Sequence, residues 1–286
     1  MDLKDVKPLW EQYGYRPDKR LGQNFLSDKN VRDNIVDALL LDRDTTVIEI
    51  GPGFGVMTFD IAKKCKELYA VEKDERISDI MESVFEQAGN IKLTRGDILA
   101  TDIMRFVPSN GKILVFGNIP YYITTPIIEK IIENRKSISR AYLLTQDEFA
   151  SRIVSPPGSK QYGSISCFVQ FYTKAKKVFK VSKNCFYPRP QVDSALLSLE
   201  ILQESPVKVK DEDLMFAIIR KSFTQRRKKI SNTLPHGEFL GIEKGRWNEI
   251  LETAGVDAGA RPEVLSLQDY ARICDVVHEG KYNFNI

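Results

Sequence analysis

Residues 46–55 read Thr-Val-Ile-Glu-Ile-Gly-Pro-Gly-Phe-Gly, and this short stretch decides the fold class. Its first half is a β-branched run typical of a buried strand, and its second half places three glycines directly after that run. Apolar residues then recur at helical spacing at Met57, Ile61 and Cys65. The order of strand, glycine turn and helix lets backbone N–H groups approach a ligand closely, which favours a nucleotide-type ligand.

The same alternation continues along the chain. Short strands are predicted at 68–71, 91–93, 112–116 and 141–144, and amphipathic helices at 77–85 and 127–132. Strands that alternate with helices form an open parallel sheet with helices on both faces. We therefore expect an α/β, Rossmann-like domain whose ligands bind at the carboxyl ends of the strands.

The pattern changes after residue 167. Apolar stretches at 168–172, 177–181 and 195–201 predict three more strands and an antiparallel edge. Residues 203–206, Gln-Glu-Ser-Pro, are the predicted linker, and the sequence beyond them has mainly helical spacing. The expected domains are therefore a Rossmann-like domain at 1–203 and a small all-helical domain at 204–286.

The composition limits the class of protein. Hydrophobic residues make up 42% of the 286-residue chain and charged residues 28%, which indicates a soluble globular protein. The N-terminal segment has no apolar core, and no apolar run approaches the length of a membrane span, so we expect a cytoplasmic protein. The four cysteines lie far apart and the chain has two histidines, which disfavours a disulfide framework and a metal site.

Acidic residues follow two successive predicted strands. Glu72 ends the second strand, 21 positions after Gly51, where a carboxylate can accept hydrogen bonds from ribose hydroxyls. Asp97 follows the third strand and can accept a hydrogen bond from an adenine amino group. Val56 stands where the dinucleotide pattern requires a third glycine. S-adenosylmethionine is therefore the expected cofactor, and a dinucleotide-dependent oxidoreductase is the alternative.

The fourth predicted strand is followed by Gly117-Asn118-Ile119-Pro120-Tyr121-Tyr122. An adenine amino nitrogen is a poor nucleophile because its lone pair is delocalised into the ring. If the Asn118 side-chain oxygen and the Ile119 carbonyl accept its two N–H groups, the nitrogen is biased towards tetrahedral geometry. Its lone pair can then face a sulfonium methyl group, while Tyr121 stacks on the base.

Positive charge is concentrated in one part of the chain. The sequence has 42 basic and 39 acidic residues, but residues 152–229 alone hold 16 basic and 6 acidic ones. Such asymmetry favours a polyanion-binding face, which we interpret as contact with RNA phosphates. The main candidates are Arg220, Lys221, Arg226, Arg227, Lys228 and Lys229. Weaker candidates are Lys160, Tyr162, Lys174, Lys176, Lys177 and Arg189.

Five segments together resemble the ribosomal RNA adenine dimethyltransferase family. They are residues 23–26, 49–55, 118–126, 186–194 and 223–228. The resemblance implies a class I S-adenosylmethionine-dependent methyltransferase domain followed by a helical RNA-binding domain. It also implies transfer of two methyl groups to N6 of each of two adjacent adenosines near the 3′ end of small-subunit ribosomal RNA, with a role in ribosome biogenesis.

The resemblance also implies roles for individual residues. Asn118 and Tyr121 would hold the target base, and Phe186 would form a second aromatic wall. The partner would be small-subunit ribosomal RNA or a pre-assembled small subunit, and the chain would act as a monomer without a metal ion. Cofactor contacts are implied for Gln23, Asn24, Leu26, Gly51, Gly53, Glu72, Asp97 and Asn118.

Two alternatives stay open within this class of protein. The erythromycin-resistance type methylates one adenosine of large-subunit RNA, although Pro126 and residues 192–194 and 225–228 look more like the small-subunit branch. A non-catalytic ribosome-assembly factor that kept the cofactor fold is the other alternative. Tyr122 stands where polar residues are frequent in the family, and its role is open.

Overall fold

The structure, a computed structural model, describes residues 3–18, 22–109, 111–237 and 239–280. The chain divides into two compact units. The first contains Met1–Ala150 and Lys174–Ile201, and the second contains Ser151–Thr173 and Leu202–Ile286. Within the described ranges, no helix is both long enough and apolar enough to span a membrane.

The first unit is built on a seven-stranded sheet with the order β4-β3-β2-β5-β6-β9-β7. The strands are β1 (Phe25–Leu26), β2 (Thr46–Ile50), β3 (Glu67–Glu72), β4 (Ile91–Arg95), β5 (Ile113–Asn118), β6 (Ile138–Gln146), β7 (Thr173–Val181), β8 (Phe186–Tyr187) and β9 (Ser194–Ile201). Strands β2 to β6 are parallel, β9 is antiparallel to β6, and β1 and β8 form a separate antiparallel pair. The predicted α/β sheet with an antiparallel edge is confirmed.

Helices cover this sheet and bury apolar faces against it. They are α1 (Leu3–Gln12), α2 (Lys29–Ala38), α3 (Thr58–Ala62), α4 (Glu75–Glu86), α5 (Thr124–Glu133) and α6 (Asp147–Val154), the last of which ends in the second unit. In α4, Ile77, Met81 and Phe85 recur four residues apart and are all buried. The helical spacing of apolar residues therefore fixes the face that packs on the strands.

The second unit is helical and has its own core. Its helices are α7 (Ser164–Tyr172), α8 (Glu212–Ser222), α9 (Ile230–Thr233), α10 (Lys244–Thr253) and α11 (Leu267–Glu279). Trp247 and Tyr270 are fully buried in this core, together with Leu214 and Ile218 of α8. The predicted helical C-terminal part of the chain is confirmed.

Two details differ from the sequence prediction. Residues 168–172 are not a strand but the last turns of α7, because Cys167 and Phe171 lie four residues apart and both pack into the helical core. As a result, the predicted division into 1–203 and 204–286 does not describe the second unit completely. That unit also takes Ser151–Thr173 from the earlier part of the chain.

Candidate active site

A cleft of about 170 Å³, open to solvent, lies in the first unit. Its walls include residues at or just beyond the carboxyl ends of β2, β3, β4 and β5, which is the expected edge of a parallel sheet. The predicted site residues that line it are Gln23, Asn24, Gly51, Gly53, Glu72, Asp97, Asn118, Tyr121 and Phe186.

Gly51 and Gly53 shape the turn after β2. Their φ angles are +66° and +56°, in the left-handed region that residues other than glycine rarely adopt. A Cβ atom on Gly51 would meet nothing within 4 Å, whereas one on Gly53 would lie 2.8 Å from the Phe25 ring. The backbone at Gly51 is therefore open to a ligand, and the backbone at Gly53 is packed against an aromatic side chain.

Glu72 ends β3 with a buried carboxylate. Its Oε2 accepts a hydrogen bond from the Gly53 N–H at 3.0 Å, and its Oε1 accepts one from the Asp74 N–H at 2.8 Å. Burial raises the pKa of Glu72, and the two backbone donors oppose that rise. Because each carboxylate oxygen has two lone pairs, Glu72 can still accept hydrogen bonds from a ligand.

Replacing Glu72 by glutamine should weaken binding of S-adenosylmethionine about 10- to 100-fold, because charge-assisted hydrogen bonds to ribose hydroxyls would be lost. Isothermal titration calorimetry measures this dissociation constant directly. Glu67→Gln changes the same residue type at the other end of β3, away from the cleft, and should leave the affinity unchanged. Equal affinities for the Glu72→Gln variant and the wild type would remove Glu72 from the cofactor site.

Asp97 lies just after β4 and is paired with a residue that the sequence did not single out. Its Oδ2 accepts from the Lys73 ammonium at 2.8 Å, and its Oδ1 accepts from the Leu99 N–H at 2.9 Å. Burial alone would raise the pKa of Asp97, but these donors outweigh it and hold the pKa below its ordinary value. Asp97 is therefore an ionised acceptor, as recognition of an amino group requires.

Asn118 ends β5 with its side-chain orientation fixed by one hydrogen bond. Its Nδ2 donates to the backbone carbonyl of Asn24 at 2.9 Å. A carbonyl oxygen can only accept, so the amide nitrogen must face Asn24 and the amide oxygen must point elsewhere. No described residue donates to that oxygen, which leaves it available to accept from a ligand in the cleft.

Two aromatic residues line the same cleft from different parts of the chain. The Tyr121 and Ser194 hydroxyls are hydrogen-bonded at 2.9 Å, and burial raises the pKa of Tyr121. Phe186 is buried in β8, which pairs with β1. The structure therefore brings Asn118, Tyr121 and Phe186, the three predicted catalytic residues, to one cleft.

Leu26 is the exception among the predicted cofactor contacts. It does not line the cleft; its side chain is buried in the hydrophobic core of the first unit, and it is the register partner of Phe186 in the β1–β8 pair. An apolar side chain held in this way positions the strand pair. The predicted contact of Leu26 with the cofactor stays a prediction, and the structure gives its side chain a supporting role.

A hydrogen-bonded network beside the cleft was missed at the sequence level. The Gln23 carbonyl oxygen accepts from the Tyr15 hydroxyl at 2.6 Å, and its amide nitrogen donates to Asp74 at 3.0 Å. Arg76 also donates to Asp74, at 3.2 Å. The amide of Gln23 keeps one N–H for a ligand. In the sequence, Asp74, two residues after Glu72, is the residue that could have indicated this network.

Glu49, in the middle of the β2 run, is fully buried without lining the cleft. Burial raises the pKa of Glu49 to about 8, the Thr58 hydroxyl opposes the rise, and the charge of Glu72 adds to it. Glu49 is therefore protonated at neutral pH. Because this folded-state pKa lies above the ordinary value of 4.5, the stability that the group contributes is present below pH 4.5 and is lost as the pH rises through 8.

This linkage gives a measurable pH dependence. The free energy of unfolding of a Glu49→Gln variant should exceed that of the wild type by a margin that grows between about pH 5 and pH 8, because glutamine never has to bind a proton on folding. Urea unfolding of both proteins at several pH values measures the margin. A margin that stays constant across this range would show that Glu49 ionises normally.

The residues present fit a nucleoside cofactor with a charged tail. The turn at Gly51 is free of side-chain obstruction, Glu72 has spare acceptor capacity beside it, and Asp97 offers an ionised acceptor after the next strand. Ile50, Ile77 and Ile98 add apolar walls for a base. Polar acceptors placed among apolar walls are typical of a small-molecule site.

The basic segment of the second unit has mixed contacts. Residues 220–229 are not one helix: α8 ends at Ser222, a 3₁₀ turn covers Phe223–Gln225, and 226–229 lead into α9. Arg226 donates to the carbonyls of Lys160 and Tyr162 at 2.8 and 3.0 Å. These two hydrogen bonds give Arg226 a structural role within the helical unit.

Lys221 is also engaged in structural contacts. It donates to the His236 carbonyl and lies over the Phe239 ring at 5.6 Å. Within the basic segment 220–229, the four exposed cations for which the described residues show no partner are Arg220, Arg227, Lys228 and Lys229. Tyr162, a weaker RNA candidate, is completely buried, so its predicted RNA contact is wrong.

Comparisons with known proteins give matches over most of the chain. A family model described as Ribosomal RNA adenine dimethylase matches residues 15–277. A curated relative from Lachnoclostridium phytofermentans, named Ribosomal RNA small subunit methyltransferase A, is 39% identical over 282 residues, which cover 97% of each chain. All of the predicted site residues lie within this matched range.

Two solved structures share the fold. A dimethyladenosine transferase from Plasmodium falciparum has a TM-score of 0.75 at 24% identity and covers 87% of this chain and 95% of its own. The 23S rRNA methyltransferase ErmE has a TM-score of 0.67 at 24% identity and covers 89% of this chain and 99% of its own. Both likenesses extend over the two units, since they cover most of the chain.

Proposed function

Because this chain belongs to the ribosomal RNA adenine dimethylase family, we propose that it dimethylates N6 of two adjacent adenosines near the 3′ end of small-subunit ribosomal RNA. S-adenosylmethionine is the methyl donor. The observation that carries the proposal is the unpaired side-chain oxygen of Asn118, held in the same cleft as Tyr121 and Phe186.

The Asn118 oxygen acts on the nucleophile. It accepts one N–H of the adenine amino group, and the Ile119 carbonyl accepts the other, so the nitrogen is biased towards tetrahedral geometry. The lone pair becomes available without a strong base, through positioning and electrostatic stabilisation. The hydrogen bond to Asn24 keeps the amide from turning its nitrogen towards the substrate.

The aromatic residues hold the target base. An adenine must leave its stack to enter the cleft, and Tyr121 and Phe186 replace the lost stacking with their ring faces. Ser194 fixes the Tyr121 hydroxyl and thereby limits rotation of the ring. Glu72, Asp97 and the turn at Gly51 hold S-adenosylmethionine, which when bound supplies an electrophilic sulfonium methyl group.

The curated relative's name supports the small subunit as the source of the RNA. The test is to incubate the protein with purified small and large ribosomal subunits and methyl-labelled S-adenosylmethionine. We expect the label in the small-subunit RNA. Label in the large-subunit RNA alone would indicate the erythromycin-resistance activity, and the absence of label from both would indicate a non-catalytic assembly factor.

The helical unit contributes contacts to RNA phosphates through Arg220, Arg227, Lys228 and Lys229. Their positive charge and exposure support this role. The protein acts as a monomer in the cytoplasm and takes part in ribosome biogenesis. Four cysteines that are all free thiols are consistent with a reducing compartment.

A further inference from the structure

Tyr121 and Tyr122 are neighbours in the chain with opposite environments. Both lie in the 3₁₀ turn Tyr121–Ile123, where successive side chains point about 120° apart because the turn has three residues. The Tyr121 hydroxyl is hydrogen-bonded to the buried Ser194. The Tyr122 side chain is instead 62% exposed.

Tyr122 is unusual among the exposed aromatic residues of the described chain. The others are Tyr13, which does not line the cleft, and Tyr187, whose ring stacks on Trp10 with centroids 5.7 Å apart. Tyr122 lines the cleft, and it makes no hydrogen bond or ring stack with any described residue. An exposed aromatic ring at the mouth of a cleft presents a face on which a base can stack.

The position of Tyr122 is fixed although its ring is exposed. Thr124 donates to the Tyr121 carbonyl at 3.0 Å, and its hydroxyl lies 3.2 Å from that of Thr145, which anchors the turn to β6. One side of the ring is close to Gly22: a Cβ there would lie 3.6 Å from Tyr122 Cε1. A ring on an anchored turn loses little entropy when a base stacks on it.

We propose that Tyr122 is the stacking platform for the nucleotide next to the target adenosine. This inference rests on the proposed function, because it assumes that an adenine occupies the slot of Tyr121 and Phe186. The Cα atoms of consecutive residues are about 3.8 Å apart, so a base beside the target base is within reach of the Tyr122 ring. Base stacking on an exposed aromatic ring is the usual means by which proteins hold unpaired nucleotides.

The charge around Tyr122 suits a nucleic acid strand. The Lys73 side chain is 60% exposed at the cleft. The Lys73 ammonium donates to Asp97 at 2.8 Å, and both residues line the cleft together with Tyr122. A cation beside the platform is placed to attract the phosphate that links the target nucleotide to its neighbour.

The platform has a consequence for two adjacent substrates. Tyr122 can adjoin the target nucleotide on only one side, whereas the neighbouring adenosine is on the 3′ side of one target and on the 5′ side of the other. The ring can therefore hold the second adenosine of the pair during only one of the two methylations, and it holds a nucleotide outside the pair during the other. Loss of the ring should slow both methylations, whereas loss of the base of the neighbouring adenosine should slow only one.

The test uses small subunits assembled on ribosomal RNA whose 3′ segment is ligated from synthetic RNA. Each adenosine of the pair is replaced in turn by an abasic nucleotide or by guanosine, which keeps the purine ring without an N6 amino group. The measured quantity is kcat/KM for transfer to the remaining adenosine. For one of the two, Tyr122→Ala and the abasic neighbour should each lower it about 5- to 100-fold. Tyr122→Ala combined with the abasic neighbour should lower kcat/KM no further than either change alone. Guanosine in place of the abasic nucleotide should restore the wild-type kcat/KM.

Two further variants separate stacking from other effects. Tyr122→Phe keeps the ring and should retain activity, and Tyr13→Ala removes a comparably exposed tyrosine outside the cleft and should change nothing. Equal slowing of both methylations by the abasic neighbour would overturn the inference. The inference would also be overturned if Tyr122→Ala weakened cofactor binding while the abasic neighbour still had its full effect in that variant. Tyr122 would then be a wall of the cofactor site. A wild-type protein that methylates neither adenosine would instead overturn the proposed function.

Discussion

Asn118→Ala should lower kcat for methyl transfer by about 10²- to 10³-fold, the cost of removing one polar group that stabilises a transition state. The variant loses the oxygen that accepts from the adenine amino group, and no described side chain of the cleft stands in the same place. Cofactor binding should weaken only in part, because Glu72 and Asp97 remain. Single-turnover methylation and calorimetric titration with S-adenosylmethionine measure the two effects separately.

Asn118→Asp is the matched variant for this prediction. It retains an acceptor but replaces the amide donor with a second oxygen, which would face the Asn24 carbonyl at the position where Nδ2 now lies 2.9 Å away. Two acceptors repel each other there, so the side chain should turn and the rate should stay far below that of the wild type. Near-normal turnover of either variant would refute the assigned role of Asn118.

Neutralising the exposed cations of the helical unit should weaken binding to the small subunit at least about tenfold near 0.1 M salt. The variant carries glutamine at Arg220, Arg227, Lys228 and Lys229. Each phosphate contact that is lost should lower the slope of log affinity against log salt by about 0.7–0.9. Arg226 is kept because its hydrogen bonds to Lys160 and Tyr162 hold the helical unit together.

A control variant separates local contacts from overall charge. It carries glutamine at Arg43, Lys63, Lys64 and Lys66, which flank the amino ends of β2 and β3, away from the cleft. The change in net charge is the same. If both variants bind with the same salt dependence, the RNA is not held by the helical unit's basic segment.

The patterns that the sequence revealed are those whose residues are neighbours in the chain. The glycine turn after β2 and the Asn118 segment after β5 each contain a strand end and its functional residues within a few positions, so their place at the sheet edge follows from topology. Glu72 and Asp97 could be placed for the same reason.

Features that depend on distant contacts could not be read in this way. Tyr15 and Asp74 are 59 positions apart, and Arg226 meets the Lys160 carbonyl 66 positions away. Spacing therefore could not distinguish Arg226 from Arg227. Residues 168–172 were predicted as a strand because a short apolar run fits a strand and a buried helix equally well. The helical core that decides between them is formed by residues much later in the chain.

The central claim is that one cleft dimethylates two adjacent adenosines, and mass mapping of the methylated RNA tests it most directly. Unmethylated small subunits are incubated with the protein and S-adenosylmethionine, and nuclease fragments from the 3′ end of the RNA are analysed by tandem mass spectrometry. We predict two methyl groups on N6 of each of two neighbouring adenosines. Methyl groups on a single adenosine, on another base, or only on large-subunit RNA would contradict the account.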